Sequence, residues 1–377
     1  MTAVGCRNQS DEAGDVTMFG KLMNGYFYGK SGKGDFTPDD LPKNRWELFW
    51  AMLRVRFSAL TRLNMMTIIV FLPYLVIILM NFLSLLTGWT NAVNYQEALT
   101  AGTELDPEQF TPELVALFEK FTENGVFQIQ NFVRDLTQAC LWRMVLLLIP
   151  AILITGPAEA GLAYVCRNWA RDEHAFIWSD FKDAMRDNWK QAIGISAITS
   201  VIPIIMYMCW QFYGNLAADS MFYMIPQMVV VMLGIIWILA LVFYYPLMVS
   251  YKMTFRQLLK NGMMLSIGRL PQTVGVRLLT LLPVLICLLL LFFTGIGMYA
   301  FLAIGAFYLI IGIALPRFIY ASFTNAVFDR FINSRIEGVR INRGMTEDND
   351  DDDDEDESDG EDDKEDDIRK KPTDDEA

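Results

Sequence analysis

A single histidine, His174, occurs in 377 residues. Zinc centres and Ser-His or Cys-His catalysis draw on histidine, so this scarcity removes most of their raw material. Cysteine is sparse too: Cys6, Cys140, Cys166, Cys209 and Cys287 form an odd set at irregular spacing, with no CxxC pair. They read as small buried hydrophobes, not as disulfide partners or metal ligands. The first 44 residues are polar and Gly-rich and hold no apolar run of the kind that forms a cleavable signal. The phrase Gly25-Tyr26-Phe27-Tyr28-Gly29-Lys30-Ser31 is one residue short of a phosphate-binding loop, and no strand or helix signal flanks it. Catalytic, cofactor-binding and metal-binding residues are therefore assigned to none of the chain, which is read as non-enzymatic and without a cofactor.

Acidic residues are also scarce outside one region. The formal net charge is −13, but the stretch 347–377 holds 20 acidic and 4 basic residues. That tail carries −16, which leaves the preceding 346 residues at +3. The body is thus mildly basic, while the whole chain is 53% hydrophobic with a mean hydropathy of +0.27. A soluble enzyme, a secreted disulfide scaffold and a nucleic-acid binder with a basic face are all excluded by this combination. The acidic tail, placed at 346–377, has too little apolar surface to fold and reads as a disordered segment.

What the body does have is long uncharged runs. A helix crossing the hydrocarbon core needs roughly 20 apolar residues. Spans are expected at about 64–86, 192–213 and 221–250. A run of 39 uncharged residues from 278 to 316 is too long for one crossing and divides near Thr294-Gly295-Ile296-Gly297 into spans at about 278–297 and 301–322. The weakest candidate is 140–160, where only 15 uncharged residues lie between Arg143 and Glu159.

Basic residues decide whether that segment crosses. Lys43, Arg45, Arg54, Arg56 and Arg62 precede the first span. Arg167, Arg171, Lys182, Arg186 and Lys190 fall in one later loop, and Lys252, Arg256, Lys260, Arg269 and Arg277 in another. Arg330, Arg335, Arg340 and Arg343 follow the last span, whereas 88–139 holds only Lys120 and Arg134. All basic segments share one side only if 140–160 does cross. The expected fold is all-α: a polytopic protein of the plasma membrane with six transmembrane helices and both termini cytoplasmic. A cytoplasmic leader (1–44), a membrane domain (45–345) and the tail (346–377) are its parts.

Three cytoplasmic stretches show apolar stripes at helical spacing. They are Trp46, Phe49, Leu53, Phe57 and Leu60; Trp178, Phe181, Met185 and Trp189; and Phe255, Leu258, Leu259 and Met263. Such stripes with basic flanks suit amphipathic helices in the headgroup layer, and suit packing on the protein's own spans equally well. Phe181 and Phe255 open similar phrases, a hint of internal duplication. The extracytoplasmic segment 88–139 is expected to be helical: Thr111 as N-cap, Pro112 at the first position, Gly125 as the stop, and an apolar face of Leu114, Leu117, Phe118 and Phe121.

Charges at membrane depth are costly and are the candidate polar site. Arg143 stands near the outer end of the second span, with Asp135 as an available partner. Arg317 follows Pro316 near the inner end of the last span. Glu159 lies in Thr155-Gly156-Pro157-Ala158-Glu159-Ala160-Gly161, where small residues and proline allow close helix approach or a break. It could bind a cation or relay a proton, or pair with Arg167 or with an Arg flanking the first span. A structural partner is the favoured reading, because no second acidic residue lies within a span.

Several phrases in chain order resemble the YesL-type family of bacterial multi-pass membrane proteins. They are Arg62-Leu63-Asn64, Thr155-Gly156-Pro157-Ala158, Tyr164-Val165-Cys166-Arg167, the run from Asp180 to Ala192, Leu259-Lys260-Asn261 and Leu270-Pro271-Gln272-Thr273. The leader, from Phe27-Tyr28-Gly29-Lys30 to Asn44-Arg45, is similar to that of the longer clostridial members. The resemblance spans about 26–330. Genes of that family often neighbour carbohydrate transporters, so it implies a non-enzymatic accessory or assembly subunit of carbohydrate ABC transport. Partners would then be the lipid bilayer and the permease or solute-binding subunits, with no nucleic acid. A small-solute transporter or channel in its own right, and a membrane-bound regulator or scaffold, are the alternatives. The enlarged 88–139 segment, the tail and Glu159, where the family commonly has a small or hydroxyl residue, depart from its pattern.

Overall fold

The computed structural model describes residues 42–104, 109–293, 297–339 and 341–345. The leader before Pro42, Cys6, the 25–31 phrase, Arg340, the 294–296 divide and the acidic tail lie outside the described residues.

Helix α1 (Arg45–Ala101) starts at Asn44, whose side chain accepts from the Glu47 N–H at 2.9 Å. The Glu47 carboxylate accepts in return from the Lys43 N–H at 3.0 Å, a reciprocal arrangement at the helix start. It stops at Gly102, which takes the left-handed conformation (φ 65°) that glycine adopts without strain. Its 57 residues extend ~85 Å, far beyond a ~30 Å hydrocarbon core. The first amphipathic stretch is therefore not a separate interfacial helix. Neither glycine nor proline stands between Trp46 and Pro73 to end the helix, so it continues directly into the span.

A small cap follows. Helix α2 (Pro112–Glu119) has Thr111 as its N-cap and Pro112 in the first turn. Gly125, however, does not terminate it. Asn124 (φ 53°) and Gly125 (φ 78°) form the tight turn between strands β1 (Thr122–Glu123) and β2 (Val126–Phe127), and the helix ends earlier, at Glu119. Asn-Gly supplies the two positive φ values that a two-residue hairpin turn requires.

Helix α3 (Ile129–Ala170) then runs back, and α4 (Ser179–Ala217) returns. A 3₁₀ turn (Met221–Tyr223) leads into α5 (Met224–Ser250). Next come α6 (Phe255–Gly268), α7 (Leu270–Phe293) and α8 (Gly297–Phe307). A π-helical segment (Tyr308–Gly312) joins α8 to α9 (Ala314–Phe331). Among the described residues, five helices are long and apolar enough to cross a membrane, and a sixth span is present if Tyr299–Gly312 and Ala314–Arg335, bent by 54°, count as one. The last expected span is thus broken, not straight.

The basic segments collect at one end of the bundle. Arg45 bridges to Asp329 at 2.9 Å, Arg343 to Glu173 at 2.5 Å, and Arg56 to Asp172 at 3.9 Å. The Tyr251 hydroxyl donates to Asn333 Oδ1 at 2.7 Å. We call this the basic end. The cap lies at the other, around an aromatic cluster of Tyr95, Phe110, Phe118, Phe127 and Phe132.

Helix α3 is the hub, packed on α1, α4, α5 and α9. One core joins Leu60, Leu63 and Phe71 of α1 to Leu162, Val165 and Trp169 of α3 and Phe318 of α9. A second joins Ile195 of α4, Phe243 and Leu247 of α5, Leu258 of α6 and Phe328 of α9. Both cores sit toward the basic end. Nearer the cap end, α4 exposes Val201, Ile205 and Met208, α5 exposes Met228, Met232 and Leu233, and α7 exposes Leu282 and Leu289.

Candidate functional site

The composition of α3 around Glu159 dictates how closely α4 approaches. A Cβ on Gly156 would stand 2.4 Å from Ser196 Oγ and 2.7 Å from the Ala192 carbonyl oxygen. One on Gly161 would stand 2.6 Å from the Phe181 ring. Only glycine permits these contacts. Phe255, the other member of the suspected duplicate, likewise fills the space beside a glycine, Gly194.

Pro157 lacks an N–H and leaves the Leu153 carbonyl without its helical donor. The Ser196 hydroxyl, which also donates to the Ile193 carbonyl of its own helix at 3.1 Å, donates to the Leu153 carbonyl at 3.2 Å. The proline is therefore absorbed, α3 stays continuous, and Glu159 is held on a regular helix.

The opposing wall is irregular for an identifiable reason. Pro316 cannot donate to the Gly312 carbonyl, and its ring crowds that position. The chain bends between the π segment and α9. Asn64, fully buried in α1, takes up the disrupted backbone. Its Nδ2 donates to the Tyr308 and Leu309 carbonyls at 3.0 and 2.8 Å. Its Oδ1 accepts from the Ile313 and Ala314 N–H groups at 2.8 and 3.0 Å. All four bonds from one side chain fix the break against α1.

Arg317 follows one turn later and meets Glu159 across the α3–α9 interface. Arg317 Nε donates to Glu159 Oε2 at 3.0 Å, and Nη2 donates to Oε1, a bidentate pairing. Nη1 donates to the Ile313 carbonyl at 3.2 Å, and the guanidinium lies 5.6 Å from the centre of the Phe71 ring. Side-chain exposure is 25% for Arg317 and 15% for Glu159, so both charges are largely removed from solvent. Tyr74, Tyr245 and Tyr308 lie within electrostatic reach. Beside them, Arg277 of α7 donates to the Tyr320 hydroxyl at 2.7 Å, which also meets Thr280 Oγ1 at 2.8 Å. The result is a polar layer within an apolar bundle, in which Glu159 and Arg317 neutralise each other and Arg277, held by the Tyr320 hydroxyl, is a third formal charge.

Two of the three charges singled out in the sequence, Glu159 and Arg317, are thus brought together, and Arg143 is not. Arg143 Nε donates to Asn81 Oδ1 of α1 at 3.0 Å, while Asp135 pairs with Arg134 instead. The other partners considered for Glu159 are engaged elsewhere. Arg167 donates to the Val249 carbonyl at 2.6 Å, where a cation complements the C-terminal end of α5. The arginines flanking the first span stay at the basic end, where Arg45 binds Asp329.

Sequence reasoning passed over that Asp329 node. Buried Asp329 accepts from Arg45 at 2.9 Å, from Asn333 Nδ2 at 2.5 Å and from the Asn342 N–H at 3.3 Å. It ties the start of α1 to the end of α9. Its one signal was isolation: no Asp or Glu precedes it back to Asp219. Nearby, burial raises the Asp172 carboxyl above its ordinary range, with Arg56 opposing the shift. Tyr251 is pushed up to about 12, chiefly by burial. Cys140, Cys166 and Cys287 are free and buried, and Cys209 is free and half-buried.

With this geometry in place, the comparison with known families is specific. Residues 137–210 match the family described as "Protein of unknown function, DUF624". This is the YesL-like family. The DUF624 match takes in most of α3 and α4, hence Gly156, Pro157, Glu159, Gly161 and Ser196, and leaves α1 and α5 to α9 outside. No curated protein and no solved structure matches the chain.

Proposed function

We propose that this chain is a non-enzymatic accessory subunit of the plasma membrane, with six crossings and both termini cytoplasmic, that works with a carbohydrate ABC transporter. The observation carrying this reading is the Glu159–Arg317 pair. A bidentate pair satisfies both charges internally, so the polar layer serves as a lock between α3 and α9. Ser196 does the same for the carbonyl that Pro157 releases, and Asn64 for backbone groups at the bend. The bundle is then free to act through its surfaces. Apolar faces of α4 and α5 near the cap end, around Ile205, Met208, Met232 and Leu233, offer contact to spans of a permease. The sugar-uptake context is supplied by the resemblance to the YesL-like family. Affinity purification in mild detergent from cells grown on several sugars is expected to recover permease and solute-binding subunits. Recovery of the chain alone after crosslinking contradicts the proposal.

A second reading, a small-solute transporter, has one observation in its favour. The last span is broken beside the Glu159–Arg317 pair, and transporters place interrupted spans at their substrate sites. Flux of ions or sugars through purified protein in liposomes supports it, and impermeable vesicles count against it.

A further inference from the structure

Helix α6 presents two different faces at the basic end. Thr254 and Gln257 form a reciprocal cap at its start. Leu258 is fully buried, and a Cβ on Gly262 would meet the Tyr244 ring at 2.4 Å, so one face is firmly seated on α5. The other face exposes Met263, Met264 and Ile267, next to Arg256 and Lys260. Between α6 and the end of α9 lies a cleft of about 450 Å³. Met264, Leu265, Phe331 and Ile332 form apolar walls, and Arg269 and Arg335 supply cations.

No Asp or Glu lines this cleft. No Asp or Glu occurs between Asp219 and Asp329, a stretch whose basic-end part contains Lys252, Arg256, Lys260 and Arg269. Asp329 itself is spent on Arg45, Asn333 and Asn342. The Arg269 guanidinium is stacked 4.9 Å from the Phe331 ring centre. Stacking holds the group in place and leaves its N–H edges free for a planar or tetrahedral oxyanion. Among the described residues, neither Arg269 nor Arg335 makes an ion pair.

We propose that the cleft between α6 and the end of α9 binds an anionic phospholipid, with the phosphate between Arg269 and Arg335 and an acyl chain along Met264, Leu265, Phe331 and Ile332. Apolar walls beneath a pair of cations match a lipid with a charged headgroup better than a soluble anion, which leaves those walls uncovered. This inference is independent of the accessory and transporter readings alike.

Native mass spectrometry of the full-length protein tests it, using phosphatidylglycerol and phosphatidylcholine with identical acyl chains. Phosphatidylglycerol is expected to be retained roughly tenfold better, in line with two cations at the surface. Arg269→Gln/Arg335→Gln is expected to abolish the preference, and Arg269→Lys/Arg335→Lys to retain it. Arg186→Gln/Lys190→Gln, which removes two cations elsewhere at the same end, is expected to leave it intact. Equal retention of the two lipids overturns the proposal. So does equal loss in both glutamine variants, which means a diffuse field with no site. Abolition of the preference by millimolar inorganic phosphate overturns it as well, by placing a soluble anion in the cleft.

Discussion

Glu159 and Arg317 are separated by 158 positions in the sequence and joined by two hydrogen bonds across α3 and α9. Each is the other's remedy for being drawn from water. Removing one partner leaves an uncompensated charge, which typically costs about 3–5 kcal/mol, whereas removing both costs much less. Glu159→Gln and Arg317→Met are therefore expected to lower thermal stability in detergent sharply, and the double variant to recover most of the loss. Additive losses in that double-mutant cycle contradict the lock.

Ser196 and Pro157 make a more local pair. With proline present, the Ser196 hydroxyl is the donor to the Leu153 carbonyl. Ser196→Ala is expected to cost about 1 kcal/mol or somewhat more. In a Pro157→Ala background the restored N–H serves that carbonyl, and the cost of Ser196→Ala should shrink. Unfolding midpoints of the four proteins give the comparison.

Asn64→Leu keeps the volume but forfeits four hydrogen bonds to the bent span. A loss of about 3 kcal/mol or more is expected from the stranded backbone groups. Hydrogen exchange should rise first at 308–314. Unchanged protection there contradicts the assignment.

The fold was legible where a single physical rule governed. Uncharged runs marked the helices, and the placement of Lys and Arg identified segments that the structure gathers at one end. Thr111 and Pro112 located the start of α2 correctly. Misreadings arose where two rules competed. Gly125 was read as a helix stop, but Asn124 before it makes a hairpin turn, and both patterns share the glycine. In the site, Glu159 and Arg317 stood out because charge in an apolar run is conspicuous. Their pairing was hidden because it depends on α9 packing against α3, a contact with no local sequence signature. Asn64 was hidden for the same reason: its partners are backbone groups about 245 residues away.

Glycine contacts separate packing from propensity. Gly156→Ala would force a Cβ against the Ala192 carbonyl at 2.7 Å, whereas a Cβ at Gly305 meets nothing within 4 Å. The first substitution is expected to destabilise by a few kcal/mol, in the manner of overpacked cores, and the second to be neutral or mildly stabilising. Thermal unfolding distinguishes them.

Asp172 provides a pH-dependent case. Its carboxyl is harder to ionise in the folded chain, because burial outweighs the help from Arg56. Ionisation therefore subtracts stability as pH rises through the ordinary carboxylate range, and protonation below it restores that stability. Asp172 also holds φ 56°, which asparagine tolerates well. Asp172→Asn is expected to match or exceed the parent in stability at pH 7, and to lose that advantage at low pH.

The accessory reading is tested most directly by site-specific photocrosslinking from the exposed apolar faces of α4 and α5. A photoreactive residue at Ile205 or Met232, which are 52% exposed, should trap a permease subunit in intact cells. The same probe at buried Ile195 should trap nothing outside the chain. Crosslinks from Ile205 and Met232 to lipid alone, or to further copies of this chain alone, contradict the account.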